Sequence, residues 1–180
     1  MKCWFLIFKL GDPKDAVRNG VRSLLRQILL VYPYTKVFVY VMDGLKSKNA
    51  RQRTECLDEL SYLIEKYDLT VCRQTSQPVA LKEIARHISD RDNSVRNAAL
   101  NCVVQAFFLA GEKIYKQIGQ LNDKDLSMLD ERIKRAKRQQ QKPAETNNLS
   151  AKSSGQILQQ DSIEIDEPSN GCDELPLPEE

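Results

Sequence analysis

Three stretches of the chain superpose without a gap, and this recurrence restricts the fold more than any other feature. They are Leu10-Gly-Asp-Pro-Lys-Asp-Ala-Val-Arg18-Asn, Leu45-Lys-Ser-Lys-Asn-Ala-Arg-Gln-Arg53-Thr and Ile88-Ser-Asp-Arg-Asp-Asn-Ser-Val-Arg96-Asn. The spacings, 35 from Arg18 to Arg53 and 43 from Arg53 to Arg96, fall in the range of helical repeats. Before each turn the apolar columns are Cys3/Phe38/Leu81, Leu6/Val41/Ile84, Ile7/Met42/Ala85 and Leu10/Leu45/Ile88. They recur at i, i+3, i+4 and i+7, one stripe of a helix. After each turn the columns are Val21/Cys56/Ala99, Leu25/Leu60/Val103, Ile28/Leu63/Ala106 and Leu29/Ile64/Phe107, again one helical face. Each unit therefore reads as helix, short turn, helix. One such hairpin cannot bury its own stripe, whereas stacked hairpins bury a continuous core. The expected fold is all-α, a solenoid of about four helix pairs of the HEAT-repeat kind.

Punctuation supports the same division. Asp12-Pro13 and the run from Asp90 to Ser94 carry turn and N-cap chemistry. Pro33 and Pro78 fall between units, where one pair must stop and the next begin. Residues 67–77 form a longer connection and account for the wider second spacing. A fourth pair is expected over Glu112–Gly119 and Lys124–Arg138, with a break at Asn122-Asp123. From Gln139 the periodicity fails, and Gln, Pro, Asn, Ser, Gly and acids predict a disordered segment over 139–180. Ile163, Ile165 and Leu175 are too few for a core; a linker is the simpler reading, a short docking motif the alternative.

Charge divides along the same boundary. The net charge of +2 is the sum of −7 over residues 139–180, with two lysines and nine acids, and +9 over residues 1–138. A basic body suits an acidic partner. The apolar start, Met1 to Ile7, is too short and too soon followed by Lys9 for a signal peptide, and is expected to be a buried helix. No apolar run approaches the ~20 residues of a membrane span. Of five cysteines none forms a C-x-x-C pair, and Cys3, Cys56 and Cys102 occupy helical apolar positions, which indicates free thiols in a reducing compartment.

The turns hold the residues of interest. Asp12 precedes Arg18 by six residues, as Asp90 precedes Arg96. This spacing lets a carboxylate in the turn pair with a guanidinium on the first turn of the next helix, within one unit or across to its neighbour. Ser47 replaces the acid in the middle unit, so Arg53 is expected to lack that partner. These arginines read first as structural, with Arg96 also a candidate for ligand contact. Lys14, Lys46, Lys48, Asn49, Arg91 and Asn93 occupy equivalent short loops, and in a stacked array equivalent loops line up on one edge. Recurrence at one structural position is a stronger signal of binding than surface lysines alone.

Catalysis finds little support. His87 is the single histidine; it has no second ligand at metal spacing, and a surface or capping role is expected. There is no G-x-S-x-G, phosphate-cradling glycine loop or H-E-x-x-H. No cofactor or metal is expected. Arg132, Lys134, Arg135, Lys137 and Arg138 form a basic run that could meet phosphate, a helix dipole or an acidic protein segment. Without interleaved aromatics it gives poor support to nucleic-acid binding.

At these residues the chain resembles the TOG-domain microtubule polymerases, near the later part of their fourth TOG domain. The resemblance rests on Gly11-Asp-Pro-Lys-Asp-Ala-Val-Arg18, Leu45-Lys-Ser-Lys-Asn49, Arg53-Thr-Glu-Cys-Leu-Asp-Glu-Leu60, Ile88-Ser-Asp-Arg-Asp-Asn-Ser-Val-Arg-Asn-Ala-Ala-Leu100 and Met128-Leu-Asp-Glu-Arg-Ile-Lys-Arg135. It covers about residues 6–138, and the tail faintly resembles the linker that follows that domain. It implies that the αβ-tubulin heterodimer and the microtubule plus end are partners, with other spindle or centrosome proteins possible. Nucleic acid and membrane are not implied. Carried over, the tubulin-contacting edge is Lys14, Lys46, Lys48, Asn49, Arg91, Asn93 and Arg96. The implied role is capture of tubulin without bond chemistry, to promote growth at plus ends, spindle poles, centrosomes and kinetochores of the cytoplasmic cytoskeleton. A family TOG domain has about six repeats, and the first ones, with their aromatic turn, have no counterpart here. Weak tubulin affinity and an open apolar face at Cys3–Leu10 are therefore expected. A generic HEAT scaffold for another protein or acidic peptide is the alternative, and an RNA-binding module or enzyme is more distant.

Overall fold

A computed structural model describes residues 3–140, with no side-chain description at Cys3. The expected tail, including the Ile163, Ile165 and Leu175 motif, lies outside the described residues. Within them the structure is helical throughout: α1 (Cys3–Lys9), α2 (Asp15–Ile28), α3 (Tyr34–Gly44), α4 (Ala50–Tyr67), α5 (Gln77–Arg86), α6 (Asn93–Ala110), α7 (Ile114–Gln117) and α8 (Asp123–Gln140). Short 3-10 segments occupy Asp68–Gln74, His87–Ser89 and Gly111–Lys113.

Local chemistry sets the boundaries. Pro33 stands immediately before α3 and Pro78 within the first two positions of α5, where the missing N–H costs nothing. Asp92 caps α6 by accepting from the Ser94 and Val95 amides, and Asn49 caps α4 by accepting from the Arg51 amide. At the far end of α6, Gly111 turns to φ +60 while its N–H bonds the Phe107 carbonyl, a glycine stop.

The odd- and even-numbered helices form two layers, and the apolar columns meet between them. α4 packs against α3 and α6, and α6 against α5 and α8. Phe38, Val41, Leu45, Cys56, Leu60, Leu63, Ile64, Leu81, Ile84, Ala85, Ile88, Ala99, Val103 and Ala106 are buried almost completely. Burial of such side chains supplies the main stabilisation, about 1.5–3 kcal/mol each. At the open end of the second unit, where α3 begins and α4 ends, the Tyr34 and Tyr67 rings stack 4.5 Å apart and nearly parallel. The fold is therefore the expected stack of paired helices.

The first unit shows the open apolar face expected of it but not a buried opening helix, and the fourth unit departs from expectation. The opening segment is helical, but only Ile7 and Leu10 are buried in it; Trp4, Phe5 and Phe8 are exposed, because among the described residues no helix lies against that side of α1. The first helix of the fourth pair shrinks to a 3-10 turn and the four-residue α7. Gly111 breaks the chain direction there, and only Ile114 and Ile118 reach the core. Cys56, Cys72 and Cys102 are free, buried thiols; burial pushes the Cys72 thiol up to about 12. No helix of the described residues is long and apolar enough to cross a membrane.

Candidate binding edge

The three aligned turns share one construction down to single hydrogen bonds. In each, the side chain two residues before the N-cap position accepts the amide of the N-cap residue. Asp12 Oδ1 takes the Lys14 N–H at 3.0 Å, Ser47 Oγ the Asn49 N–H at 3.2 Å, and Asp90 Oδ1 the Asp92 N–H at 3.0 Å. Ser47 thus does in the middle turn what an aspartate does in the others, since an acceptor oxygen at that reach is all the contact needs.

The arginine of each unit then closes its own turn. Arg18 Nη1 donates to the carbonyls of Asp12 and Pro13 at 2.7 and 3.1 Å. Arg53 Nη1 donates to those of Ser47 and Lys48 at 2.9 and 3.1 Å. Arg96 Nη1 donates to those of Asp90 and Arg91, both at 2.9 Å. The expected pairing of Asp12 with Arg18, and of Asp90 with Arg96, is corrected accordingly. The arginine bonds the main-chain oxygen of that aspartate, because the carboxylate is already turned toward the N-cap amide.

The other edge of each guanidinium reaches elsewhere. Arg18 bonds Glu55 of the next unit, Nε to Oε1 at 3.1 Å, and also meets Asp15. Arg53 grips Asp90 of the next turn through Nε at 3.0 Å and Nη2 at 2.9 Å. Arg53 has no acid six residues before it, as expected, and takes one from the following unit, the cross-unit arrangement that the spacing had left open. Arg96 takes Asn93 Oδ1 at 3.0 Å, so both belong to the internal network. Farther along α2, Arg22 and Arg26 face Glu55 and Glu59 of α4, which extends the ionic seam between the first two units.

With the arginines engaged, the outward cations stand out. Lys14, Lys48 and Arg91 are exposed, and among the described residues their side chains have no hydrogen-bond or ionic partner. Lys48 and Arg91 hold the same place, one residue before the N-cap; Lys14 is one residue farther on. Lys46 is also exposed, but its ammonium pairs with Asp43 at 2.8 Å, and that hydrogen bond raises its pKa. Asn49 is exposed with both ends of its amide used: Oδ1 caps α4 and Nδ2 donates to the Gly11 carbonyl of the preceding turn at 3.1 Å.

The sequence reading passed over two further cations. Arg51, in the first turn of α4, and Lys124, in the first turn of α8, are exposed and have no side-chain partner among the described residues. Lys124 follows the fourth turn, where Asn122 Oδ1 accepts the Asp125 amide at 2.8 Å. The Asn122-Asp-Lys124 run was the available signal; its different spacing hid it from the alignment.

Of the surface or capping role expected for His87, the structure gives the cap: it is the part-buried C-cap residue of α5. It ends α5 in a 3-10 turn, with Nδ1 3.5 Å from Asp90 Oδ2 and a buried Nε2 that has no partner among the described residues. Burial lowers its pKa, and the Asp90 carboxylate only partly offsets this. No group of three His, Cys, Asp or Glu side chains among the described residues is placed to hold a metal ion. In the basic run on α8, Arg132 bonds Asn97 at 2.6 Å, Arg135 pairs with Glu131 at 2.8 Å, and Lys137 lies over the Phe107 ring at 4.7 Å.

Comparison with known proteins gives the family. Residues 10–132 match the family model described as XMAP215/Dis1/CLASP, TOG domain. The protein mini spindles of Drosophila melanogaster is 64% identical over 97% of the chain. Zygote defective protein 9 of Caenorhabditis elegans is 38% identical over 73% of it. Among solved structures, one described as "TOG-tubulin binding specificity promotes microtubule dynamics and mitotic spindle formation" superposes with a TM-score of 0.69 at 72% identity, over 73% of this chain. The TOG domain of C. elegans Zyg9 superposes with a TM-score of 0.68 at 38% identity, over 74% of this chain. The chain spans 8% and 9% of the length of the two relatives and about half of each solved chain, 48% and 49%. On the family match and these identities, the chain belongs to the XMAP215/Dis1/CLASP family of TOG domains.

Proposed function

We propose that this chain is a tubulin-binding part of a microtubule polymerase, and that it meets the tubulin heterodimer through the row of turns before α2, α4 and α6. One observation carries the reading: Lys14, Lys48 and Arg91 stand at or one residue before the N-cap of successive turns, are exposed, and are left without partners among the described residues while the arginines beside them are consumed by the fold. An unpaired, repeated row of cations favours an acidic protein surface. The solved relative described by TOG-tubulin binding specificity, 72% identical over the shared region, supports tubulin as that surface.

Lys14, Lys48 and Arg91 would make the direct contacts. Lys46, Asn93 and Arg96 lie on the same edge, each already held by a neighbour. The work is capture and delivery in the cytoskeleton, in support of microtubule growth at plus ends and spindles, with binding in place of bond chemistry. On the motif resemblance given above, we assign the chain to the later part of a fourth TOG domain.

Sedimentation of the chain with purified tubulin tests the reading, beside a variant carrying Lys14→Glu, Lys48→Glu and Arg91→Glu. The unaltered chain is expected to co-migrate with tubulin and the triple variant to remain behind. Equal binding by both would remove the turn edge from the contact, and binding by neither would remove the activity from this chain.

A further inference from the structure

We infer that Asn49 and Gly11 act as a spacer that fixes the first turn against the second, so that Asn49 is a positioning residue for partner binding and makes no contact itself. The inference rests on the proposed use of the turn edge. Its basis is a bridge between units that no repeat pattern requires. The Asn49 amide donates through Nδ2 to the Gly11 carbonyl at 3.1 Å, 38 residues away in sequence. Its Oδ1 meanwhile accepts the Arg51 amide at 3.0 Å. One side chain thus caps α4 and holds the preceding turn.

Close approach is built into the site. A Cβ on Gly11 would lie 2.8 Å from Asn49 Nδ2 and 3.1 Å from Gln52 Cβ. The first atom ends a flexible side chain, whereas the second is fixed to α4, so relief there needs a shift of a few tenths of an ångström between the turn and the helix. Any larger residue at position 11 therefore pushes the two turns apart. Gln52 reinforces the junction. It is buried, donates through Nε2 to the Ile7 carbonyl at 3.1 Å, and accepts from Ser47 Oγ at 2.8 Å.

The second junction is made differently, by the Arg53–Asp90 fork. The turn that carries Lys48 is thus tied to the turn of Arg91 by an ionic link, and to the turn of Lys14 by the neutral Asn49 amide, beside the Arg18–Glu55 pair that joins the helices behind it. An extended edge binds best when its contacts need no rearrangement, so spacing between cations bears directly on affinity. Losing the amide bridge removes no charge from the edge, which makes the spacer role separable from a contact role.

The variants Asn49→Ser and Gly11→Ala in the full chain separate the possibilities. Serine keeps the N-cap but is too short to reach Gly11. Spin labels on Lys14→Cys and Lys48→Cys, with Cys3 and Cys172 changed to serine, report the spacing between turns. The three remaining thiols are buried and resist labelling. We expect Asn49→Ser to broaden or shift the label distance and to weaken tubulin binding about threefold to tenfold, the scale of one hydrogen bond. The steepness with which binding falls as salt is added is expected to stay at its unaltered value, whereas Lys48→Ala lowers it. Asn49→Ser and Gly11→Ala together are expected to lose little more than the larger single loss, because both open one junction.

An unchanged label distance in Asn49→Ser overturns the spacer. Losses that multiply in the double variant overturn the positioning role and return Asn49 to direct contact. If the unaltered chain fails to bind tubulin while Asn49→Ser still shifts the label distance, the tubulin reading falls and the spacer stands.

Discussion

The Arg53 guanidinium holds the Asp90 carboxylate with two parallel bonds, 2.9 and 3.0 Å long, and so joins the second turn to the third. Both side chains are largely shielded, 15% and 12% exposed. Arg53 spends its remaining Nη1 on the Ser47 and Lys48 carbonyls, while Asp90 also accepts the Asp92 amide. Burial alone would raise the Asp90 pKa, but the Arg53 hydrogen bond, the Asp92 amide and the Arg53 charge outweigh it and hold the carboxyl below its usual value. A fork between planar groups that is also satisfied on its outer atoms is the geometry in which a shielded ion pair stabilises.

Breaking that fork from either side should cost the same energy once. Arg53→Ala is expected to lower the free energy of unfolding by about 3 kcal/mol, since it leaves Asp90 shielded and unpaired and frees two turn carbonyls. Arg53→Lys should lose nearly as much, because an ammonium cannot reproduce the fork. Urea unfolding of Arg53→Ala, Asp90→Ala and the double variant checks this. The double variant is expected to fall short of additivity by about 1–3 kcal/mol; strict additivity would show that the pair contributes nothing.

Acidification should act on two sites with opposite sign. His87 has a lowered pKa in the fold, so the unfolded chain takes up its proton first, near pH 6.5. The stability His87 contributes is present above that pH and is lost as pH falls through it. Asp58 behaves in the reverse way. Its side chain reaches solvent, yet loss of hydration around the carboxyl, with the negative charge of Glu55, pushes its pKa up to about 6. The fold therefore holds the Asp58 proton more tightly than the unfolded chain, and stability falls as pH rises from about 4 to 6. Thermal melts followed by circular dichroism separate the two. Asp58→Asn should raise the midpoint at pH 7 by a small amount, given its solvent contact, and His87→Gln should reduce the loss between pH 7 and 5. A drop in midpoint at pH 7 on Asp58→Asn would refute the assignment.

How much of this was legible in the sequence depends on the range of each interaction. The columns from Phe38 to Ala106 were readable because burial repeats with the helical period, and they are buried as read. The positions of Lys14, Lys48 and Arg91 were readable for the same reason. The direction of Arg53 was not. Spacing left each arginine a choice between its own unit and the neighbouring one and gave Arg53 no acid six residues before it; its partner lies 37 residues ahead, a distance set by how units stack. Ser47 looked like a missing acid because residue type was taken as role, when an acceptor oxygen was all the turn required. Asn49 looked like a free surface amide because its partner is a main-chain carbonyl, which leaves no mark in a sequence.

Gly44 should prove as demanding as the turns, though nothing about it stands out in the sequence. It ends α3 in a buried position, and a Cβ there would fall inside contact distance of Cys56 Sγ and 2.7 Å from Ile7 Cγ2. Both neighbours are buried and belong to different helices, so neither can move alone. Gly44→Ala is expected to destabilise the fold by about 1–3 kcal/mol through overpacking. Adding Cys56→Ala should recover part of that loss by making room. Chemical unfolding of the single and double variants checks the sign; a Gly44→Ala chain as stable as the parent would mean that α1 and α4 separate more readily than their packing implies.

The open side of the first unit should make the chain associate with itself as concentration rises. Six of the eight exposed large apolar side chains among the described residues, Trp4, Phe5, Phe8, Leu24, Leu30 and Val31, belong to the first helix pair and the loop after it. Trp4 and Phe8 stack on each other at 6.1 Å, which keeps both rings outside the core. One unit later the positions matching Trp4 and Phe5 are Val39 and Tyr40. Both are half-buried, since α1 lies against α3. An exposed apolar group of this kind favours association. Trp4→Ser with Phe8→Ser should therefore lower the apparent mass at high concentration in sedimentation and reduce binding of an apolar dye. Its folding stability should change little, because neither ring is buried. Trp4 is the only tryptophan, so emission from Phe8→Ser alone reports the same surface: a blue shift with rising concentration marks association there. Association that leaves the Trp4 emission unshifted would place the contact on another face of the molecule.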